Sequence, residues 1–291
     1  MFRKLEQVTS LPTFPIILQR LRDAVNDPAS DAKQIERILR DDPAMTARIL
    51  KVVNSAFYGT FDPISSVRLA VARLGMAAVN NIALATAVFN LMPSKDDNCI
   101  HRTSFWKHSI GTGVAAAILL SRARMAGTPR LTPDMLHTAG ILHDIGKVVL
   151  DLYFKEGFSQ AILKAAHGKI PLVEAEKHCI GASHAEVGAW LAGKWRLSVD
   201  LTCSIEWHHD PAQAPQAQRF LVALIHAADR LCMQAGIGDV SDAYAVSTGT
   251  SVLSGLGIAE PDGANILETI ATDVPRSPVF TSLSLVAADS R

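Results

Sequence analysis

The chain has 291 residues, 48% of them hydrophobic, enough to build one large core or two smaller ones and too apolar for a disordered protein. Its 28 basic and 28 acidic side chains cancel, so the summed charge offers no footprint for duplex nucleic acid or for an anionic membrane surface. Cys99, Cys179, Cys203 and Cys232 lie far apart with no CxxC pair, which argues against a zinc ribbon or a redox dithiol and reads as free thiols in a reducing cytoplasm.

The first residues, MFRKLEQVTSLPTFP, carry no apolar segment ending in a small-residue cleavage site, so no secretory signal is expected. In FPIILQRLRDAVND, Ile17, Leu18, Leu21 and Val25 recur at helical spacing while Gln19, Arg20, Arg22 and Asp23 face away. Pro28 ends that helix. Asp31 caps a second helix with Ile35, Ile38 and Leu39 as its stripe, and Asp42-Pro43 gives a third its N-cap and first-turn proline. This third helix runs through MTARILKVVNSAFYG and stops near Gly59. A fourth begins at Ser65 or Ser66 and reaches Leu74, where Gly75 breaks or bends it before an alanine-rich segment through Leu91. The apolar run from Leu69 to Met92 contains Arg73, Asn80, Asn81 and Asn90, which are costly in lipid, so it reads as buried helix rather than a membrane span.

The polar stretch PSKDDNCIHRT, residues 93–103, is the best candidate for a boundary. Helical patterns resume in SFWKHSIGTGVAAAILLSRARM, PDMLHTAGILHDIG, GFSQAILKAAHG, PLVEAEKHCIG, HAEVGAWLAGKW and FLVALIHAADRLCMQ. The Ser, Thr, Gly and Ala-rich remainder offers one plausible helix, GANILETIATDV. No segment shows sustained period-two alternation and none repeats at a fixed period, so the expected fold is all-α and not a solenoid. The expected division is an N-terminal helical subdomain at 1–95, a second helical subdomain at 96–240, and a tail at 241–291.

Polar side chains recur where these helices turn inward. His108 follows Phe105-Trp106, His143 and Asp144 sit in ILHDIGK, His184 opens HAEVGA, His208 and His209 occur in IEWHHDP, and Asp229 lies in LIHAADRLC. Imidazoles and carboxylates without a thiolate suit Fe, Mn, Zn or Mg in a mixed nitrogen and oxygen site. One or two ions are expected, with Asp144 the natural bridge between two. Lys147, four residues after His143, is expected to point its ammonium at a substrate phosphate. His137, His167, His178 and His226 read as hydrogen-bonded core residues, although His226, one turn before Asp229, could orient that carboxylate. The competing reading of the seven-residue set is a relic polar core whose members bond one another.

The order H, HD, H, HH, D on helices resembles the HD superfamily of metal-dependent phosphohydrolases. The chain as a whole resembles the HDOD family of bacterial signalling proteins, through LPTFPIILQRLRDAV, ILRDDPAMTARILKVVNSAFYG, ISSVRLAVARLGMAAVNNIAL, FWKHSIGTGVAAAIL, AGILHDIGKVVLDLYF and HAEVGAWLAGKWRL. That likeness covers about residues 5–235. It implies an HD-like helical bundle preceded by an N-terminal helical subdomain, and a regulatory relative of HD enzymes that often lacks part of the metal set. Here His108, His143, Asp144, His184, His208, His209 and Asp229 fill all the positions. HDIGK, the spacing of His184 to Gly188 and the HH pair also resemble the HD-GYP class of cyclic-dinucleotide phosphodiesterases. Two departures follow: DPAQAPQAQ replaces the glycine-tyrosine-proline signature, which argues against cyclic di-GMP, and Ser104 stands where such enzymes often carry a carboxylate, which weakens a two-metal centre.

The resemblance therefore implies a cytoplasmic signal-transduction protein with an HD-type metal site. It acts either as a phosphohydrolase on a nucleotide or cyclic nucleotide, with Asp144 and Lys147 at the chemistry, or as a non-catalytic module that engages a signalling partner through its N-terminal helices.

Overall fold

The computed structural model describes residues 1, 15–54, 64–91, 98–123, 131–238, 249–258, 260–277 and 280–281. Among them all regular structure is helical, as the periodicity predicts. The expected end of the third helix near Gly59 and residues 93–97 of the expected boundary lie outside the described residues. The chain divides into two compact units, Pro12–Leu91 with Pro278–Arg291, and Met1–Leu11 with Met92–Ser277.

The first unit contains α1 (Ile16–Asn26), α2 (Ala32–Leu39), α3 (Pro43–Val53), α4 (Val67–Leu74) and α5 (Met76–Leu91). Local chemistry starts three of them. Asp31 accepts from Gln34 N, Asp42 from Met45 N at 2.9 Å, and Ser66 from Leu69 N, each satisfying an otherwise unpaired first-turn amide. The inward stripes are Leu18, Leu21 and Ala24 on α1 and Ile35, Ile38 and Leu39 on α2. Each large apolar side chain buried in this way contributes about 1.5–3 kcal/mol. Asn54 ties the end of α3 to Ile64, donating to its carbonyl and accepting from its amide. The expected break at Gly75 is a 118° bend between α4 and α5. No single described helix is long and apolar enough to cross a membrane; the bent pair would pass on length and composition together, but Val79, Ile82, Ala83 and Ala85 of α5 are buried in the fold.

The second unit is built around α6 (Arg102–Arg122), which buries Phe105, Trp106, Ile110, Val114 and Leu119 together with His108, Ser109 and Thr112 and is buried on most sides, the pattern of a central helix. Around it follow α7 (Pro133–Leu142), α8 (Ile145–Tyr153), α9 (Lys155–Gly168), α10 (Leu172–Ile180), α11 (His184–Lys194), α12 (Val199–Trp207), α13 (Arg219–Gln234) and α14 (Glu260–Arg276). α6 packs on α7 and α13, α8 on α11, and α11 on α12. The helix read from GANILETIATDV forms as α14 and packs on α6 and α13, burying Ile266, Ile270 and Val274. Residues 249–277 thus belong to the same compact unit as α6.

Two close approaches set the geometry of this unit. A Cβ on Gly140 of α7 would collide with the backbone of Gly113 on α6, and one on Gly146 of α8 would run into the carbonyl of His184 on α11. These glycines let the backbones touch, which brings the turn at His143 and Asp144 against the start of α11. Gly146→Ala should therefore cost about 1–3 kcal/mol or more through overpacking. At about 2–4 °C per kcal/mol for a unit of this size, a melting curve should fall by several degrees. Gly193→Ala on α11, where a Cβ meets nothing within 4 Å, should leave the melting temperature unchanged or slightly raised.

Candidate metal centre

His143 and Asp144 do not interrupt one helix; they form the turn between α7 and α8. His143 sits at the C-terminal cap of α7, and its Nδ1 lies 2.7 Å from the carbonyl of Gly140, three residues back. His208 repeats the arrangement at the C-terminal cap of α12, with Nδ1 2.8 Å from the carbonyl of Ile205. A carbonyl oxygen only accepts, so Nδ1 carries a proton in both rings, and burial holds His208 neutral with its lone pair on Nε2. Neither Nε2 has a hydrogen-bond partner among the described residues, and both are buried.

Both Nε2 atoms face Asp144, which is 1% exposed. Its Oδ1 lies 3.2 Å from His184 Nε2 and 3.5 Å from His208 Nε2. Its Oδ2 lies 3.3 Å from His143 Nε2 and 3.9 Å from His108 Nε2. His184 Nε2 is in turn 2.8 Å from His209 Nε2. Asp229 on α13 meets His108 Nε2 at 3.0 Å and approaches His143 Nε2 at 3.9 Å, leaving its Oδ2 buried without a partner. The structure thus brings all seven sequence-predicted ligand residues together. Two groups have donor atoms close enough to share an ion, Asp144 with His184, His208 and His209, and Asp144 with His108 and His143. The carboxylate common to both is Asp144.

Lys147 lies against the central carboxylate. Its Nζ is 2.7 Å from Asp144 Oδ2 and the side chain is 4% exposed, because i and i+3 share a helical face and a buried carboxylate is the strongest attraction within reach. The ammonium meant for a substrate phosphate is thus engaged inside the site. His226 is hydrogen-bonded as read: its Nδ1 donates to the main-chain oxygen of His208 at 2.6 Å, so it braces the α12 terminus rather than Asp229.

Glu176 is the residue that sequence reading missed. It lies on α10, fully buried, and both its oxygens sit within 2.9 Å of His184 Nδ1 while Oε2 also accepts from the His184 amide at 2.7 Å. A carboxylate behind a ligating imidazole fixes its tautomer and orientation and raises its basicity. The available signal was the second of two glutamates in PLVEAEKHCIG, with Leu172, Val173 and Ile180 one turn away. That glutamate is as easily read as a solvated helix residue.

The protonation states follow from these contacts. Burial alone would raise Asp144 and Asp229, but the imidazole of His143 and the ammonium of Lys147 hold Asp144 well below the usual carboxylate range, and His108 and His143 do the same for Asp229. Burial lowers His184, yet the carboxylates of Glu176 and Asp144 outweigh it and lift His184 to about 9. Burial, reinforced by neighbouring His143 and His184, brings His208 down to about 4. Burial also lowers His209, beside His208 and His184. The donor set is therefore two ionised carboxylates and several imidazoles, with convergent buried atoms that lack hydrogen-bond partners. Such atoms are costly in a dry interior and are satisfied by a cation. A divalent ion fits this set by chemistry and by charge.

The family model of the HDOD domain matches residues 11–211. The chain belongs to the HDOD family. An uncharacterised protein of Treponema pallidum (strain Nichols) is 26% identical over 220 residues, which cover 76% of this chain and 42% of that protein. This HDOD chain thus spans less than half the length of that relative. A solved HDOD domain protein of unknown function from Geobacter sulfurreducens is 27% identical, with a TM-score of 0.78 over 98% of this chain and 96% of that one. A candidate phosphohydrolase from Shewanella amazonensis SB2B has a TM-score of 0.71 at 24% identity, covering 97% of each chain, a likeness of fold.

Two predictions follow from the histidine contacts. Glu176→Gln should weaken divalent-metal affinity about 10–100-fold, read by competition with a chromophoric chelator, while circular dichroism stays unchanged. Because His184 titrates near 9 in the metal-free site, its Nε2 carries a proton at pH 7 that a metal must displace. Affinity should therefore rise between pH 6 and 9, by up to about tenfold per unit for one displaced proton. Calorimetry in buffers of different ionisation enthalpy should count about one proton released.

Proposed function

We propose that this HDOD protein is a cytoplasmic signalling phosphohydrolase that holds one divalent ion per chain and acts on the phosphoester of a nucleotide or cyclic nucleotide. The observation that carries the reading is the grouping of Asp144 with His184, His208 and His209 and with His108 and His143, in which His143 Nε2, His208 Nε2 and Asp144 Oδ1 are buried without hydrogen-bond partners among the described residues. Asp144, His184, His208 and His209 would hold the ion on the Oδ1 side, with His143, His108 and Asp229 completing the set around Oδ2. An ion bound there would supply a Lewis acid and a water of lowered pKa.

The protein's own side chains prepare the site. His143 and His208 are pre-set in the tautomer that leaves Nε2 free, and Glu176 does the same for His184 once its second proton leaves. Lys147 neutralises part of the charge on Asp144 Oδ2, which favours a single ion over a bridged pair. His209 is half-buried where His143, His184 and His208 are fully buried, so solvent and substrate would approach from its side.

A second reading is favoured by that same burial and by the Lys147 contact: a regulatory module in which the ion is structural and the N-terminal helices engage a protein partner. Elemental analysis after purification in iron- and manganese-replete, reducing conditions should find about one equivalent of metal. A screen of nucleotides, cyclic nucleotides and nitrophenyl phosphodiesters should find metal-dependent hydrolysis. Asp144→Ala should abolish both, with turnover falling at least ~100-fold, since a Lewis acid contributes several kcal/mol and each 1.4 kcal/mol is tenfold. Because that variant strands Lys147 as an unpaired buried charge, Asp144→Ala/Lys147→Met is the folding control. A metal-free wild-type protein would sink both readings, and metal without turnover would select the second.

A further inference from the structure

We propose that Arg230, rather than Lys147, is the anion-binding residue of this site, taking an oxyanion of the phosphate class beside His209. The proposal deepens the metal-dependent reading above and rests on it only for the ion next door. Arg230 follows Asp229 on α13 and is 8% exposed. Its Nη2 lies 3.5 Å from His209 Nδ1, on the half-buried ring whose Nε2 meets His184. Its Nη1 is buried with no hydrogen-bond partner, and the guanidinium makes no ion pair with a carboxylate among the described residues.

A guanidinium offers five donors in a planar fork and cannot shed its proton. Leaving one buried with a single long contact is expensive unless an anion completes it. Asp229, its chain neighbour, is turned to His108 instead. Lys147 is 4% exposed and its ammonium is already bonded to Asp144 at 2.7 Å, a point charge rather than a planar fork. The charge count agrees. Three buried carboxylates, Asp144, Glu176 and Asp229, face Lys147, Arg230 and a divalent ion, which leaves one positive charge over for an incoming anion. Arg230 also stands on the half-buried flank of the cluster, so a phosphate reaching His209 meets the guanidinium fork, a geometry suited to paired hydrogen bonds with two phosphate oxygens.

The test uses the full chain loaded with manganese and inorganic phosphate as the probe. Broadening of the phosphorus resonance gives phosphate affinity, and electron paramagnetic resonance gives manganese affinity in the same samples. Arg230→Met should lose phosphate affinity about tenfold or more while manganese affinity stays within about twofold; Arg230→Lys, which keeps charge but not the fork, should recover only part of it. Wild-type crystals grown with sodium tungstate, with and without manganese, should show anomalous density within hydrogen-bonding reach of the guanidinium. That measurement needs no variant to fold. Phosphate affinity unchanged in Arg230→Met, manganese and phosphate lost together, or tungstate seated away from Arg230 would overturn the proposal. Tungstate at Arg230 in a protein without turnover would instead retire the hydrolase reading and keep the anion site.

Discussion

Everything in the second unit is arranged around one carboxylate that cannot reach water. Asp144 is 1% exposed and ionised, and an isolated buried carboxylate would neutralise itself or unfold its surroundings. Its charge is tolerated because imidazoles from α7, α11 and α12 and the ammonium of Lys147 surround it. Such a cluster is weak evidence for stability, since desolvation of every member offsets much of the attraction. It is strong evidence for a fixed geometry, because each partner has one productive position.

That geometry depends on backbone contacts as much as on side chains. The close approaches at Gly140 and Gly146 bring α7 against α6 and α8 against α11 at separations that ordinary side chains would prevent. Helices pressed this close have little freedom to slide, so the distance from Asp144 to His184 is set by packing, not by a flexible loop. Three residues of HDIGK therefore serve one purpose: Gly146 draws in the chain, His143 ends a helix, and Asp144 occupies the turn between.

Much of this was legible in the sequence, for a physical reason. Caps at Asp31, Asp42 and Ser66 and the apolar stripes of α1 and α2 are local, so neighbouring residues suffice to read them. The ligand candidates were legible because polar residues in apolar helices demand an explanation, and their family resemblance supplied an order. What could not be read depends on which helices meet. Glu176 gains meaning only because α10 brings it behind His184, and Arg230 only because α13 faces the α12 terminus. The sequence places Lys147 near His143 but does not show that its ammonium lies 2.7 Å from Asp144 Oδ2.

The distribution of ligand candidates also says how a bound ion would be felt. His108 comes from α6, His143 and Asp144 from the α7–α8 turn, His184 from α11, His208 and His209 from the end of α12, and Asp229 from α13. A cation held among them would tie together elements from residue 108 to residue 229, a span too long to be pre-assembled in an unfolded chain. Binding free energy at such a site is folding free energy, growing with the logarithm of ion concentration over its dissociation constant. Occupancy would thus alter the stability of the whole helical unit and not only its chemistry. That coupling would hold whether or not the ion also turns over a substrate, because a unit that is firm with metal and loose without it has two distinguishable states.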